Sequence, residues 1–390
     1  MRIFFLTYSH EPAIRPEVGG FRKLWELAAA LARRGHEPTV FYPRLPGFAP
    51  LTPVPSMPYS VLDLRGLRPL TAYLGMLWRA WREGRRRPPS VIYFRSGLNV
   101  LPPILGRALG ARVLVEINAD VLEFLAGEGA GALTRRLFRW SEGLNVRQSD
   151  VTVAITPGLR RLVIERYGAD PAKVWMIPSG TDAAHFVPED RTIARRRIGM
   201  GPDPVVVGFI GLFYRHQGVP TLLEAVARCL SAVPTLCLLI VGDGVMRSVW
   251  EDLARRLGLS AVTRFVGQVP YAEAPTFLNA MDVVVAPFTR DRGETSPFKV
   301  LDALACERPV VASDIPSVRS LAEESGALVL VPPEDPAALA VALSALLAEP
   351  ARRAALGRRG REFVLARHDW QRIGDRLAHE LNGAGTEATR

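Results

Sequence analysis

The chain has 390 residues, 48% hydrophobic and 23% charged, enough for two or three domains of roughly 150 residues and at least one large core. That composition excludes a disordered chain, a collagen-like fibre and a small disulfide scaffold. The formal charge of +10, from 49 basic and 39 acidic residues, suits an anionic partner; only Lys23, Lys173 and Lys299 are lysines, so the basic side is almost all arginine.

The opening run MRIFFLTYSHEP has one basic residue and a short β-rich stretch, and reads as a first strand and not as a signal peptide. It leads into a helix, FRKLWELAAALARRGH, and a strand, EPTVFYP; later strands read SVIYF, RVLVEIN and VTVAIT. After IPSGTDAAHFVP comes a polar stretch, 188–203, interrupted by Gly199, Gly201 and Pro202. It is expected to link a first domain, 1–187, to a second, 204–365.

The same rhythm restarts with PVVVGFIG, TLLEAVARCLSAV, TLCLLIVG, VMRSVWEDLARRLG and TRFVG, and continues through YAEAPTFLNAM, DVVVAPF, PFKVLDALACE and PVVAS. Short apolar strands alternating with amphipathic helices predict parallel α/β architecture, and the restart favours two doubly wound domains over one large sheet. Residues 366–390, including WQRIGDRLAHELN, are expected to form a last amphipathic helix. No uncharged apolar run reaches the roughly 18 residues of a membrane span. Cys229, Cys237 and Cys306 show no CxxC spacing, and three cysteines cannot all pair, so a reducing, cytoplasmic setting is the simplest reading. The arginine runs at 85–87 and 195–197, and the group Arg352, Arg353, Arg358 and Arg359, read as solvated faces.

In doubly wound sheets ligands lie beyond the carboxyl ends of strands, so the loops there carry the candidate chemistry. Gly19 and Gly20 fall between the first strand and first helix, where small residues let helix amides approach a phosphate; a tight turn explains them as well. Neither GxGxxG nor a P-loop motif occurs, which weakens dinucleotide oxidoreductase and P-loop NTPase readings. The most informative stretch is 293–314, GETSPFKVLDALACERPVVASD. Ser296 is expected to cap a helix whose first residue is Pro297. Glu294 then sits in the loop before that helix and Asp302 two turns within it. Together they would grip a polyhydroxylated ligand at two points, with a diphosphate on the helix amino end between them. An ordinary capped surface helix is the plain alternative.

This segment resembles the E-x7-E signature of retaining nucleotide-sugar glycosyltransferases with the GT-B fold, especially glycosyltransferase family 4. Three other segments agree in order and spacing: Gly19-Gly20 with LAAALARRGHEPTVF, the interdomain IPSGTDAAHF, and LLIVGDGVMRSVWEDLARRLGL followed by RFVGQVP. The resemblance covers nearly the whole chain. It implies an α/β GT-B protein with two Rossmann-like doubly wound domains facing a cleft, acceptor held by the first and donor nucleotide mainly by the second. It also implies a carboxy-terminal helix that crosses back to the first domain. By the same resemblance Glu294 is expected at the donor sugar, Asp302 at the ribose, and Thr295, Ser296, Phe298 and Lys299 at the diphosphate or sugar, with Gly19, Gly20, Gly211 and Gly267 lining the donor site.

The chain departs from the commonest family pattern in three places. The last glutamate is Asp302, one methylene shorter. Where most members have an arginine and a lysine on the diphosphate, the run from Gly211 to Gly218 carries Leu212 and Gln217. Two phosphates in a partly desolvated cleft need compensation, and Lys299, Arg215 and Arg290 are the replacements on offer. At the end of RVLVEINAD, Asn118 takes the place of a histidine that many members carry, and strand alternation puts Glu116 on the same face. This resembles a branch that reads EVNAP, so Asn118 and Glu116 are expected near the reacting centre, with Glu116 orienting an acceptor hydroxyl or amine. An ordinary polar strand end is the alternative.

The expected function is retaining transfer of a sugar from a nucleoside diphosphate sugar, most simply a UDP-sugar, to a hydroxyl acceptor. That acceptor is a glycan, a lipid-linked molecule, or a small metabolite such as an aminocyclitol, for which Glu11, Glu116 and Asp120 would supply acidic partners. A non-hydrolysing nucleotide-sugar epimerase and an inactive nucleotide-sugar-binding protein are the alternatives. No D-x-D triplet occurs, so neither metal nor cofactor is expected. Nucleic acid is not an expected partner, whereas the basic charge makes peripheral contact with the inner face of an anionic membrane an expectation.

Overall fold

The computed structural model describes the chain except residues 10–19, 47, 63–65, 128 and 388–390. Two compact units are present: Met1–Ser179 with Glu294–Ser296 and Trp370–Arg390, and Gly180–Gly293 with Pro297–Asp369.

The first unit runs β1 (Arg2–Leu6), α1 (Gly20–Arg33), β2 (Glu37–Pro43), β3 (Ser56–Tyr59), α2 (Arg68–Arg86), β4 (Val91–Arg95) and α3 (Pro102–Leu109). It continues with β5 (Arg112–Ile117), α4 (Val121–Gly127), α5 (Ala132–Gln148), β6 (Val151–Ala154), α6 (Pro157–Tyr167) and β7 (Val174–Met176). The strands form one parallel sheet in the order β3-β2-β1-β4-β5-β6-β7. Their apolar runs are buried because helices cover the sheet. On one face Phe4, Phe94 and Val115 pack with Ala72 of α2, Leu105 of α3, Val146 of α5 and Leu159 of α6. Strand β3 contains Pro58, which lacks an N–H and so escapes a strand pattern; it lies at the sheet edge, where proline is tolerated.

The second unit opens with α7 (Arg191–Arg197), β8 (Val205–Ile210), α8 (Val219–Cys229), β9 (Leu236–Val241), α9 (Arg247–Arg256), β10 (Thr263–Gly267), α10 (Ala274–Ala280) and β11 (Val283–Ala286). It then adds α11 (Phe298–Ala305), β12 (Val310–Ser313), α12 (Pro316–Ser325), β13 (Leu328–Val331), α13 (Pro336–Ala348) and α14 (Pro350–Arg367). Its parallel sheet is ordered β10-β9-β8-β11-β12-β13. Val300 and Leu304 of α11 pack with Phe277 of α10 and Phe363 of α14 on one face, and Leu222 of α8, Trp250 of α9 and Leu343 of α13 cover the other.

The expected linker over 188–203 is corrected by the structure: these residues belong to the second unit, which begins at Gly180. Arg195 is 5% exposed and donates to Asp282 Oδ2 at 2.6 Å, to the Ala280 carbonyl at 3.0 Å and to the Pro202 carbonyl at 2.7 Å. Asp282 also accepts from the Val206 amide at 2.7 Å. Thus Arg195, read from sequence as part of a solvated run, is an internal clamp between α7 and the sheet. A last helix, α15 (Trp370–Glu387), belongs to the first unit and packs on α1, where Gly374 passes so close to Ala30 that a side chain would collide.

Candidate functional site

Both sheets change their direction of winding at one pair of strands, β1/β4 in the first unit and β8/β11 in the second. Loops beyond the carboxyl ends of such pairs are where α/β sheets bind ligands. In the second unit the loops after β8 and β11 touch: Gly218 has φ +67 and an added Cβ would run into the Pro287 carbonyl, and Thr289 N donates to the His216 carbonyl at 3.2 Å. Only glycine meets both the left-handed conformation and that close approach.

Lys299 reaches this point from the first turn of α11. Its Nζ donates to Gln217 Oε1 at 2.6 Å and lies 3.7 Å from the ring centroid of Phe209 and 5.5 Å from that of Phe288. It passes under Gly211, where an added Cβ would stand 2.5 Å from Nζ. The half-buried side chain thus has its ammonium end among two rings, an amide and a glycine backbone. Burial, and then the nearby charge of Arg292, hold its amine well below the usual lysine pKa.

Arg292 is the cation that sequence reasoning missed. Its guanidinium lies 3.8 Å from the Phe288 ring centroid, a stacking that a linear pattern does not show. Of the other candidate cations, Arg215 turns to an ion pair with Asp291, and Arg290, 75% exposed, lies 3.7 Å from Glu334. His216 is pushed down to about 4 by burial, then by Arg292 and Lys299. Its neutral ring accepts at Nε2 from the Gln217 amide, 3.0 Å away. Gln217, in the place of the family's lysine, thus bridges Lys299 and His216. Gly267 closes β10, and its carbonyl accepts from the Gly242 amide at 2.8 Å.

Asp302 Oδ1 accepts from Thr181 Oγ1 at 2.6 Å, which ties α11 to the IPSGTD segment. The helix starts at Phe298 with Pro297 as its N-cap, one residue later than expected, and Ser296 is buried just before it. Phe298 is half-buried in the first turn.

In the first unit, Glu294 and Thr295 join the end of β5. The Asp120 amide donates to the Glu294 carbonyl at 2.9 Å, Thr295 Oγ1 donates to the Asn118 carbonyl at 3.1 Å, and Ala119 and Thr295 form a backbone bridge. The Glu294 carboxylate lies against the first turn of α6, where a Cβ on Gly158 would be 2.5 Å from its Cδ. Asn118 and Glu294 are thereby neighbours. Asn118 Oδ1 is held by Arg95, whose Nε donates to it at 2.9 Å.

Glu116, expected to orient an acceptor group, is drawn into the interior of the first unit. It is 0% exposed, takes the Lys23 ammonium at 2.9 Å and the Tyr93 hydroxyl at 2.5 Å, and has Arg95 at 3.7 Å. Burial alone would raise its carboxyl pKa, but Lys23, Arg95 and these hydrogen bonds hold it below the ordinary value. Lys23 also donates to the Ile177 carbonyl at 3.2 Å. Glu116 is therefore the buried anchor of Lys23 and Arg95, and through Arg95 it positions Asn118. Asp120 is paired with Arg166, whose Nη1 and Nη2 each donate to one of its carboxylate oxygens at 2.7 Å. Gly19 and Glu11 lie outside the described residues, and Gly20 opens α1. Among the described residues no His, Cys, Asp and Glu group is placed to hold a metal, and no helix is long and apolar enough to cross a membrane.

Two family models match in order, "Glycosyl transferase 4-like domain" over residues 19–180 and "Glycosyl transferases group 1" over 204–349. A D-inositol 3-phosphate glycosyltransferase of Kineococcus radiotolerans is 32% identical, covering 92% of this chain and 90% of that protein. In other matches of that description, the chain spans about half of the relative's length, 54%. Sucrose-phosphate synthase from Thermosynechococcus elongatus is similar with TM-score 0.81 at 22% identity over 99% of each chain. Anabaena HepE in complex with UDP-glucose is similar with TM-score 0.77 at 20% identity, over 98% of this chain and 100% of that one. These two likenesses are of fold, GT-B. Taken with the near full-length relative and the two ordered family models, they establish that the chain belongs to glycosyltransferase family 4.

Proposed function

We propose that the chain is a retaining glycosyltransferase that moves a sugar from a UDP-sugar to a hydroxyl acceptor. The observation that carries this reading is Lys299, an enclosed ammonium whose hydrogen-bond acceptor is the neutral Gln217, close to Arg292 at the strand-order switch of the second sheet. A desolvated ammonium with no opposing charge beside it among the described residues is costly, and a diphosphate reverses that cost. Lys299 and Arg292 would neutralise the departing diphosphate. Glu294 would hold hydroxyls of the transferred sugar, and Asp302, oriented by Thr181, the ribose. The acceptor would attack from the face the diphosphate leaves, and a diphosphate oxygen would take the proton, so that the protein supplies positioning and charge stabilisation.

The UDP-glucose complex of HepE, a protein of the same fold, supports UDP as the nucleotide. The name of the Kineococcus relative supports a small polyol phosphate among the acceptors to try, beside glycans and lipid-linked sugars. With two cations at the diphosphate, the reaction is expected to need no metal and to persist in excess EDTA. The test is UDP release from UDP-glucose and UDP-N-acetylglucosamine across an acceptor panel with EDTA present, with the product anomer read by NMR. A product of inverted configuration, an epimerised donor without acceptor, or nucleotide binding without any transfer would each overturn the reading. Activity lost to EDTA and restored by manganese would overturn its metal-independent form.

A further inference from the structure

Helix α2 buries Ala72, Met76, Ala80 and Gly84, spaced by four, against the first sheet. Its opposite side is apolar too: Leu70, Leu74, Trp78 and Trp81 are exposed, with Trp78 at 61%. At 100° per residue these four fall in one stripe facing away from the buried one. The two indoles stack with centroids 5.1 Å apart. The helix carries five arginines against one glutamate, and the Arg85 guanidinium stands 6.0 Å from the Trp81 ring.

Helix α5 repeats the pattern. Its Val146 shares a core with Ala72 and Met76, so α5 covers the same face of the sheet as α2. Its amino-terminal half points away from that core, with Leu133 at 80% exposure and Leu137 and Trp140 at helical spacing from it. Arg135, Arg136 and Arg139 are exposed among them. Single exposed apolar residues are ordinary, but two stripes from one helical layer, each mixing tryptophan, leucine and arginine, mark an interaction surface.

We propose that this layer docks on an anionic lipid bilayer, with the indoles and leucines at the acyl boundary and the arginines at the headgroups. A protein partner would have to match each guanidinium with a carboxylate while covering the adjoining indoles. A bilayer rich in anionic lipid accepts both at once. The proposal stands independently of the sugar-transfer reading.

The test is cosedimentation of the full chain with vesicles of phosphatidylcholine alone or with about 30% phosphatidylglycerol, a fraction that gives a negative surface potential. Binding to the anionic vesicles should exceed binding to the neutral ones roughly tenfold and weaken as salt is raised. The pair Trp78→Ser and Trp81→Ser, and separately Arg82→Gln with Arg85→Gln, should each lower binding by about tenfold. An unchanged melting temperature would show that these variants are folded. Wild-type protein that ignores anionic vesicles, or variants that bind like wild type, would overturn the proposal. So would self-association that the tryptophan substitutions abolish without any lipid binding, which would make this face a protein interface.

Discussion

Lys299 and Gln217 stand 2.6 Å apart as ammonium and amide, and the amide continues to His216 at 3.0 Å. A glutamine satisfies the lysine's hydrogen bond without neutralising its charge, which leaves that charge for an anion. Gln217→Glu keeps the shape and supplies the missing negative charge. It should weaken UDP at least about tenfold, a loss typical of a charged hydrogen bond, while leaving uridine affinity unchanged. Lys299→Ala should show the same selectivity. Because the free lysine has a depressed pKa and a diphosphate favours its charged form, wild-type UDP affinity should decline as pH rises through that pKa; Lys299→Ala should lack this limb. Calorimetry with both ligands decides, and equal losses for UDP and uridine would remove Lys299 from the diphosphate.

The closeness of Gly158 and Glu294 gives a second expectation. Gly158 lies in the first helical turn of α6, where alanine is ordinarily as good or better by about 0.5–1 kcal/mol, so Gly158→Ala should fold with an unreduced melting temperature. Its new methyl would displace the Glu294 carboxylate. Transfer should drop as it does in Glu294→Gln, at least tenfold in kcat, with UDP binding retained in both. Full activity in Gly158→Ala would show that the position of this carboxylate is immaterial to turnover.

Lys23 and Glu116 form an ion pair that is almost wholly buried. Glu116→Ala leaves an uncompensated ammonium and should cost about 3–5 kcal/mol in urea unfolding, and adding Lys23→Met should recover most of it. The carboxyl is held below its ordinary value in the folded protein, so its contribution is present above the unfolded carboxylate pKa and lost as pH falls through the folded one. The acid limb of the wild-type stability curve should therefore be shallower in the double variant. A single substitution as stable as wild type would refute the pairing.

Glu142 behaves in the opposite sense. Buried in α5 and near Asp120, its carboxyl is pushed up to about 7. A raised acid contributes stability below its folded pKa and loses it as pH rises, because the folded state resists ionisation. Stability should fall between pH 5.5 and 8 by on the order of 2–3 kcal/mol, and Glu142→Gln should remove that decline. A flat wild-type profile over this range would contradict the assignment.

Two doubly wound sheets, the restart near residue 204 and the Glu294-to-Asp302 spacing were legible in the sequence because each rests on local periodicity or on a short motif. Pro58 hid β3, since strand patterns penalise proline without knowing which strand is an edge. The partners of charged groups were not legible at all. Arg195 reads as one of three solvated arginines until the fold brings Asp282 to it, and nothing in the sequence near Glu116 announces that α1 delivers Lys23 to it. Lys299 stood out by its rarity, but its enclosure by Phe209, Phe288 and Gln217 and the company of Arg292 come from β8 itself and from the loops after β8 and β11. Hydrophobic period is written in neighbouring residues, whereas burial and charge pairing depend on which distant segments share a low-dielectric space, and that only the tertiary structure decides.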